Sequence, residues 1–237
     1  MNTAHKYRHE IKYRINIGTY HILRQRFKAV MKSDRHAADG SYRITSLYFD
    51  DIYGTAYFDK ENGILNRKKY RIRTYNFDKS FIRLEEKIKD NEVGYKKSAV
   101  ISFEEYKRLI SGDYAFLAEE RFSDTSGEDF FVSASAAGLK PSVIVDYIRE
   151  PYVCRAGNVR LTFDMKISSG DKNKDIFDEG LILSPVFPDG TVILEVKYDD
   201  FIPLYIEELL TGLPIMQESV SKYIYCRRRQ DILQFGI

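Results

Sequence analysis

The segment Lys69-Tyr70-Arg71-Ile72-Arg73-Thr74-Tyr75 carries a basic residue at every second position of its first five. In an extended strand, residues i, i+2 and i+4 share one face. Lys69, Arg71 and Arg73 therefore point one way, and Tyr70 and Ile72 the other. Phe81–Lys89 repeats the pattern with Glu85 and Lys87, and Thr191–Tyr198 with Glu195 and Lys197. Tyr7–Ile15 sets Arg8, Glu10, Lys12 and Arg14 against Tyr7, His9, Ile11, Tyr13 and Ile15. A half-buried antiparallel sheet turns its polar face to solvent, and for any single strand that ordinary reading stands. The kind of polar residue argues for more. Ser, Thr, Gln and Asn are sparse on these faces, whereas Lys12, Arg71, Arg73, Lys87, Arg149, Arg160 and Lys197 are long cations on separate strands or adjacent pairs. Strands closing into a barrel would gather them in the lumen. So much like charge needs either solvent or a polyanion.

Composition bounds the partners. The 37 Lys and Arg nearly cancel the 35 Asp and Glu, leaving a formal charge of +2. That balance excludes a general nucleic-acid coater and makes any basic patch local. Cys154 and Cys226 form no CxxC pair, and His5, His9, His21 and His36 lack zinc-ligand spacing. Both point to a reducing, cytoplasmic setting. No apolar leader opens the sequence, and no run approaches the roughly 18 apolar residues that span a bilayer. A soluble chain is expected, with attachment through a membrane-protein partner left open. At 237 residues, 43% of them hydrophobic, one domain over 1–237 can bury a sizeable core.

Along the chain, Thr19–Lys32 has helical spacing of Tyr20, Leu23, Phe27, Val30 and Met31. Tyr42–Asp50 reads as a strand, Tyr53–Glu61 as a short helical or looped insert, and Asn76–Ser80 as a turn. A short strand at Val93–Val100 leads to a helix capped by Ser102, with Glu105 as its capping-box partner and Gly112 at its end. Tyr114–Leu139 is expected to hold a polar loop at Ser123–Asp129 between helices. Ser142–Arg149 and Asn158–Ile167 read as strands around Pro151–Gly157. Asp199–Thr211 and Gln217–Gln230 read as helices, the second ending in Arg227-Arg228-Arg229, a basic run suited to a helix C-terminus.

Seven motifs in chain order carry a resemblance: Arg8-His9-Glu10-Ile11-Lys12-Tyr13, Ser46-Leu47-Tyr48-Phe49-Asp50, Lys69 through Arg73, Leu84-Glu85-Glu86-Lys87, Val159 through Asp164, Leu194-Glu195-Val196-Lys197 and Ser221-Lys222-Tyr223. Together they resemble the VTC domain, the polyphosphate polymerase domain of the triphosphate tunnel metalloenzyme superfamily, from about Tyr7 to Tyr225. The resemblance implies an α+β fold: a closed antiparallel eight-stranded β-tunnel with charged lumen and flanking α-helices. It implies ATP and polyphosphate as ligands, and a divalent metal, Mg²⁺ or Mn²⁺, as cofactor.

Residue by residue, the resemblance gives catalytic tunnel cations at Lys12, Arg71, Arg73, Lys87, Arg149, Arg160 and Lys222. It gives substrate contacts at Lys96, Tyr147 and Lys197, with Lys96 or the adjacent Lys97 left open, and a metal-binding carboxylate at Glu195. Related triphosphatases and CYTH-type cyclases begin Glu-x-Glu-x-Lys; this chain has Arg8-x-Glu10-x-Lys12, one carboxylate fewer, which leans toward the polymerase branch. The implied reaction moves the γ-phosphate of ATP onto polyphosphate. Phosphoryl transfer needs positioning and charge stabilisation rather than a side-chain nucleophile, and arginine forks suit phosphate oxygens. A non-catalytic module for polyphosphate or inositol phosphates, and a tunnel triphosphatase, are the alternative functions.

Overall fold

The computed structural model describes residues 8–37, 39–91, 93–171 and 174–235; Tyr7 and His5 lie outside them. The strands are β1 (His9–Ile15), β2 (Lys32–Ser33), β3 (Tyr42–Asp50), β4 (Arg67–Tyr75), β5 (Ile82–Asp90), β6 (Val93–Ile101), β7 (Lys140–Cys154), β8 (Val159–Gly170), β9 (Leu183–Pro185) and β10 (Val192–Tyr198). The α-helices are α1 (Ile17–Val30), α2 (Thr55–Glu61), α3 (Phe103–Ser111), α4 (Ser126–Ala137), α5 (Leu204–Glu208) and α6 (Lys222–Phe235). Chain contacts divide into two compact units. One holds the described residues up to Arg43 with Tyr147–Ile167 and Phe187–Ser221; the other holds Ile44–Asp146, Ser168–Val186 and the residues from Lys222 onward.

In the first unit the strand order is β1-β10-β8-β7. The β1, β10 and β8 ladders are antiparallel and set Lys12 opposite Glu195, Glu10 opposite Lys197, and Lys197 opposite Arg160. The reverse face presents Leu194, Val196, Leu161 and Phe163 to Leu23 and Phe27 of α1, in one apolar cluster. Leu23 and Phe27 are fully buried, each contributing about 1.5–3 kcal/mol. The helix begins two residues before the expected Thr19 because the Asn16 side chain caps it, accepting from Thr19 N–H at 2.9 Å. It stops short of Lys32 because Lys32 and Ser33 pair with Val153 and Tyr152 of β7. That pairing also corrects the expected break at Pro151. The strand runs on to Cys154, and Pro151, lacking an N–H, offers its carbonyl to Asp34 N–H at 3.3 Å.

The first unit brings two more corrections. Of the helix expected at Asp199–Thr211, only Leu204–Glu208 forms, after Pro203. Gln217–Ser221 is not helical: Gln217 bridges Tyr13, and Glu218 N–H donates to the Lys12 carbonyl at 2.8 Å, so α6 starts at Lys222.

In the second unit the order is β7-β3-β4-β5-β6. Ser46 faces Arg73, Tyr48 faces Arg71, Arg71 faces Glu85 and Lys87 faces Lys96. Leu47, Phe49, Ile72, Ile82, Leu84 and Ala99 fill the opposite face beneath α3 and α4. The Ser102/Glu105 capping box and Gly112 at the C-terminus of α3 form as expected, the glycine at φ 88°. Of the loop expected at Ser123–Asp129, Ser123–Thr125 is a turn, and Ser126–Asp129 is instead the start of α4. Thr125 caps it through Gly127 N–H, Glu128 and Asp129 occupy its first turn, and Phe130 is fully buried. Acidic residues favoured at a helix N-terminus read locally like a loop. The hydroxyl of Ser126 donates to the Leu84 carbonyl at 2.7 Å, tying α4 to β5.

Candidate functional site

Each unit carries a charged sheet face. In the first, Glu10 and Lys12 of β1, Glu195 and Lys197 of β10, Arg160 and Asp164 of β8, and Tyr147 and Arg149 of β7 form one network. Arg149 forks onto Asp164 with bonds of 2.6 and 2.7 Å and lies 3.8 Å from Glu195. Lys197 pairs with Glu195 at 2.7 Å and Lys12 with Glu10 at 2.8 Å, each lysine also lying 3.9–4.0 Å from the other glutamate. Burial disfavours the Lys12 ammonium, but Glu10 and Glu195 outweigh it and raise its pKa. The guanidinium of Arg149 behaves likewise, with Asp164 offsetting burial. Arg160 donates to Tyr42 at 2.8 Å and pairs with Asp34 at 2.9 Å. The Tyr147 ring lies 5.3 Å from the Arg149 guanidinium carbon.

In the second unit the face belongs to Ser46, Tyr48, Lys69, Arg71, Arg73, Arg83, Glu85, Lys87 and Lys96. Arg71 donates to Glu85 and to the Tyr48 hydroxyl, both at 2.8 Å. Arg73 approaches the same carboxylate at 3.6 Å, and Lys96 reaches it at 2.5 Å. Burial alone would raise the Glu85 pKa, yet Arg73, Arg71 and Lys96 hold it well below the usual carboxylate range. The Tyr48 phenol, also buried, is lowered by Arg71 and Arg73. Like charges stand directly opposite one another at Lys69 and Lys87, Lys87 and Lys96, and Arg73 and Arg83. Such pairings destabilise a sheet.

The expected residues thus fall into two groups. Lys12, Tyr147, Arg149, Arg160, Glu195 and Lys197 share the first face, and Arg71, Arg73, Lys87 and Lys96 the second. Lys222 opens α6 in the second unit. Lys96 meets Glu85 on the charged face, whereas Lys97 lies on the helix side and pairs with Asp129 at 2.7 Å. Sequence reasoning gave no role to Asp164, Tyr48 or Glu85, the hydrogen-bond partners that aim Arg149, Arg71 and Lys96. Their place at alternate positions of neighbouring strands was the available signal.

A divalent ion on the first face would meet Glu195 and Glu10. Among the described residues no three His, Cys, Asp or Glu side chains converge on a metal position. Two hard carboxylates suit Mg²⁺ or Mn²⁺ that takes its remaining ligands from phosphate oxygens and water. The donor set therefore fits an ion held jointly with a phosphate chain rather than a closed protein cage.

The structure is an antiparallel sheet with flanking helices, and each unit carries a sheet face on which cations and carboxylates are paired. Residues 7–229 match the VTC domain, and the chain belongs to that family. Among solved structures, a putative adenylyl cyclase from Hippeastrum, described as having a dominant triphosphatase activity, is similar with a TM-score of 0.55 at 12% identity, over 94% of this chain and 96% of its own. A protein from Pyrococcus horikoshii OT3 gives 0.46 at 17% identity, over 96% and 98%. A putative adenylate cyclase from Bacillus halodurans gives 0.45 at 11%, over 98% and 92%. The first of these supports the fold. No curated protein matches.

Proposed function

We propose that this chain is a polyphosphate polymerase that transfers the γ-phosphate of ATP to a growing polyphosphate chain. The observation that carries the reading is the register of the second face, where cation stands opposite cation across β4, β5 and β6. A phosphate chain is the ligand whose repeating charge would relieve it. The closed eight-stranded tunnel expected from the sequence belongs to this proposal, as do a single functional domain and a cytoplasmic location.

In the reaction, a terminal oxygen of polyphosphate bonds to the γ-phosphorus, the bond from that phosphorus to the β,γ-bridging oxygen breaks, and ADP leaves. Arg71, Arg73, Lys87, Lys96 and Lys222 would bind phosphate oxygens, the arginines through two N–H groups each. Glu85 and Tyr48 hold Arg71 in one orientation, so its fork need not be ordered during the reaction. Lys12, Arg149, Arg160 and Lys197 would offset charge on the transferring group, with Tyr147 packed against Arg149. Glu195, joined by Glu10, would hold Mg²⁺ or Mn²⁺, which supplies Lewis-acid neutralisation of phosphate oxygens when bound.

The test is incubation of purified protein with ATP and Mn²⁺ or Mg²⁺, with and without a short polyphosphate primer, followed by separation of the products. Polymer with ADP supports the proposal. Release of inorganic phosphate without polymer identifies a triphosphatase, and ligand binding without turnover identifies a non-catalytic polyphosphate or inositol-phosphate module.

A further inference from the structure

Lys69 stands two residues before Arg71 on the same face of β4, with Lys87 directly opposite on β5. Its ammonium nitrogen sits 4.4 Å from the centre of the Tyr223 ring on α6. Arg67 on its own strand, Lys87 on β5 and Lys60 on α2 all act against its charge, and Asp50 at the end of β3 is the acid that favours it. Asp50 is already engaged: it accepts from the Tyr223 hydroxyl at 2.5 Å and from Ala56 and Tyr57 N–H at 2.9 and 3.2 Å. Among the described residues, Lys69 has no ion-pair partner. Lys12 is the contrast: it is also buried, but Glu10 and Glu195 keep it charged.

We propose that Lys69 is a further phosphate-chain ligand of this protein, and that it takes up a proton when the chain binds. The inference rests on the reading of the second face as a phosphate-chain site. Geometry supplies each requirement. The amine shares the face and the spacing of Arg71 and Arg73, so a chain tracking those guanidinium groups passes it. The Tyr223 ring presents the π surface that favours an ammonium over a neutral amine. Phosphate oxygens passing the amine would add negative charge beside it and offset the cations that act against its protonation. In the free protein, burial first and then Arg67, Lys87 and Lys60 bring the Lys69 pKa down to about 7, so at neutral and mildly alkaline pH much of it is neutral. Arg71 and Arg73 stay charged throughout. Lys69 thus differs from them in responding to the ligand.

Calorimetric titration with tripolyphosphate, run in two buffers of different ionisation enthalpy, reads the protons exchanged on binding. Comparison with K69M subtracts the exchange belonging to the ligand and to other groups. At pH 8 the wild type should take up close to one proton more per site than K69M, about 0.9 for a group one pH unit above its pKa. The difference should vanish below pH 6. K69R, charged at both pH values, should bind tripolyphosphate without that extra uptake. Equal proton exchange by wild type and K69M at pH 8, with binding intact, overturns the role of Lys69 and leaves the phosphate-chain reading standing. The same uptake in K69R as in wild type overturns it too. Failure of folded wild-type protein to bind tripolyphosphate at all overturns both.

Discussion

Glu85→Gln should destabilise the protein and at the same time tighten its hold on phosphate chains. Glu85 is fully buried and is the acceptor shared by Arg71, Arg73 and Lys96. Removing one partner of a buried ion pair costs about 3–5 kcal/mol. Glutamine keeps a hydrogen bond to Arg71, and Lys96 is 41% exposed in its side chain, so the lower end, about 3 kcal/mol, is the expected cost. For a chain of this size that corresponds to a fall of roughly 6–12 °C in Tm. The lost negative charge also leaves the cations of the face more available to an anion. Tripolyphosphate should therefore raise the Tm of Glu85→Gln by more than it raises that of wild type. The stability difference also has a defined pH dependence. The folded-state pKa is depressed, so the contribution of Glu85 is complete above its ordinary value of 4.5 and is lost as pH falls through the lower, folded value. The two proteins should converge in acid. Scanning calorimetry with and without tripolyphosphate, repeated from pH 7 downward, measures all three effects. A variant melting within about 1 °C of wild type at pH 7, or an equal ligand-induced rise in both, refutes the account of this face.

Glu195→Gln should abolish polymer formation and ADP release while tripolyphosphate binding persists or strengthens, since a negative charge beside Lys197, Lys12 and Arg149 is removed; unchanged turnover and metal dependence in the folded variant would take Glu195 out of the mechanism. Arg160→Ala should keep the fold and weaken tripolyphosphate binding by about 1.5–3 kcal/mol, the value of one charge-assisted contact, whereas a merely solvated face predicts wild-type affinity by titration at fixed ionic strength. Lys69 has a folded pKa of about 7, below its ordinary 10.5, so the unfolded chain carries more protons between these values and stability should rise with pH there. The gain is at most about 1.4 kcal/mol per pH unit; denaturant titrations from pH 7 to pH 9 should show it in wild type and not in K69M, and equal slopes would refute it.

The alternating charge of β1, β4, β5 and β10 was legible in the sequence because a period of two is local information. So was α3, whose Ser102, Glu105 and Gly112 mark both ends within one short segment. The route of β7 through Pro151 was not, since it depends on β2, a two-residue strand far away in the sequence. The start of α4 was hidden because the polar residues that favour a helix N-terminus are also those of a loop. The site followed the same division. Which residues share a face could be read from spacing, but which carboxylate aims which arginine depends on register between strands. Lys69 shows the limit most clearly: in sequence it is one more cation beside Arg71, and only the packing of α2 and α6 around β4 separates its protonation behaviour from that of its neighbours.

The doubled charges of the β5–β6 hairpin bear on how that hairpin finds its alignment. Glu85 is followed by Glu86 and Lys96 by Lys97, with one member of each pair toward the cations and the other toward α4. A strand displaced by one residue would still offer a carboxylate and an ammonium to each side, so the ion pairs barely distinguish the correct alignment from its neighbour. The discrimination falls to Ile82, Leu84, Ala99 and Ile101, all buried. Displacement would turn them to the charged side and bring Arg83 into the apolar layer, at about 1.5–3 kcal/mol for each large aliphatic side chain exposed. The proofreading of this hairpin during folding is done by four hydrocarbon side chains on the face turned away from Glu85 and Lys96.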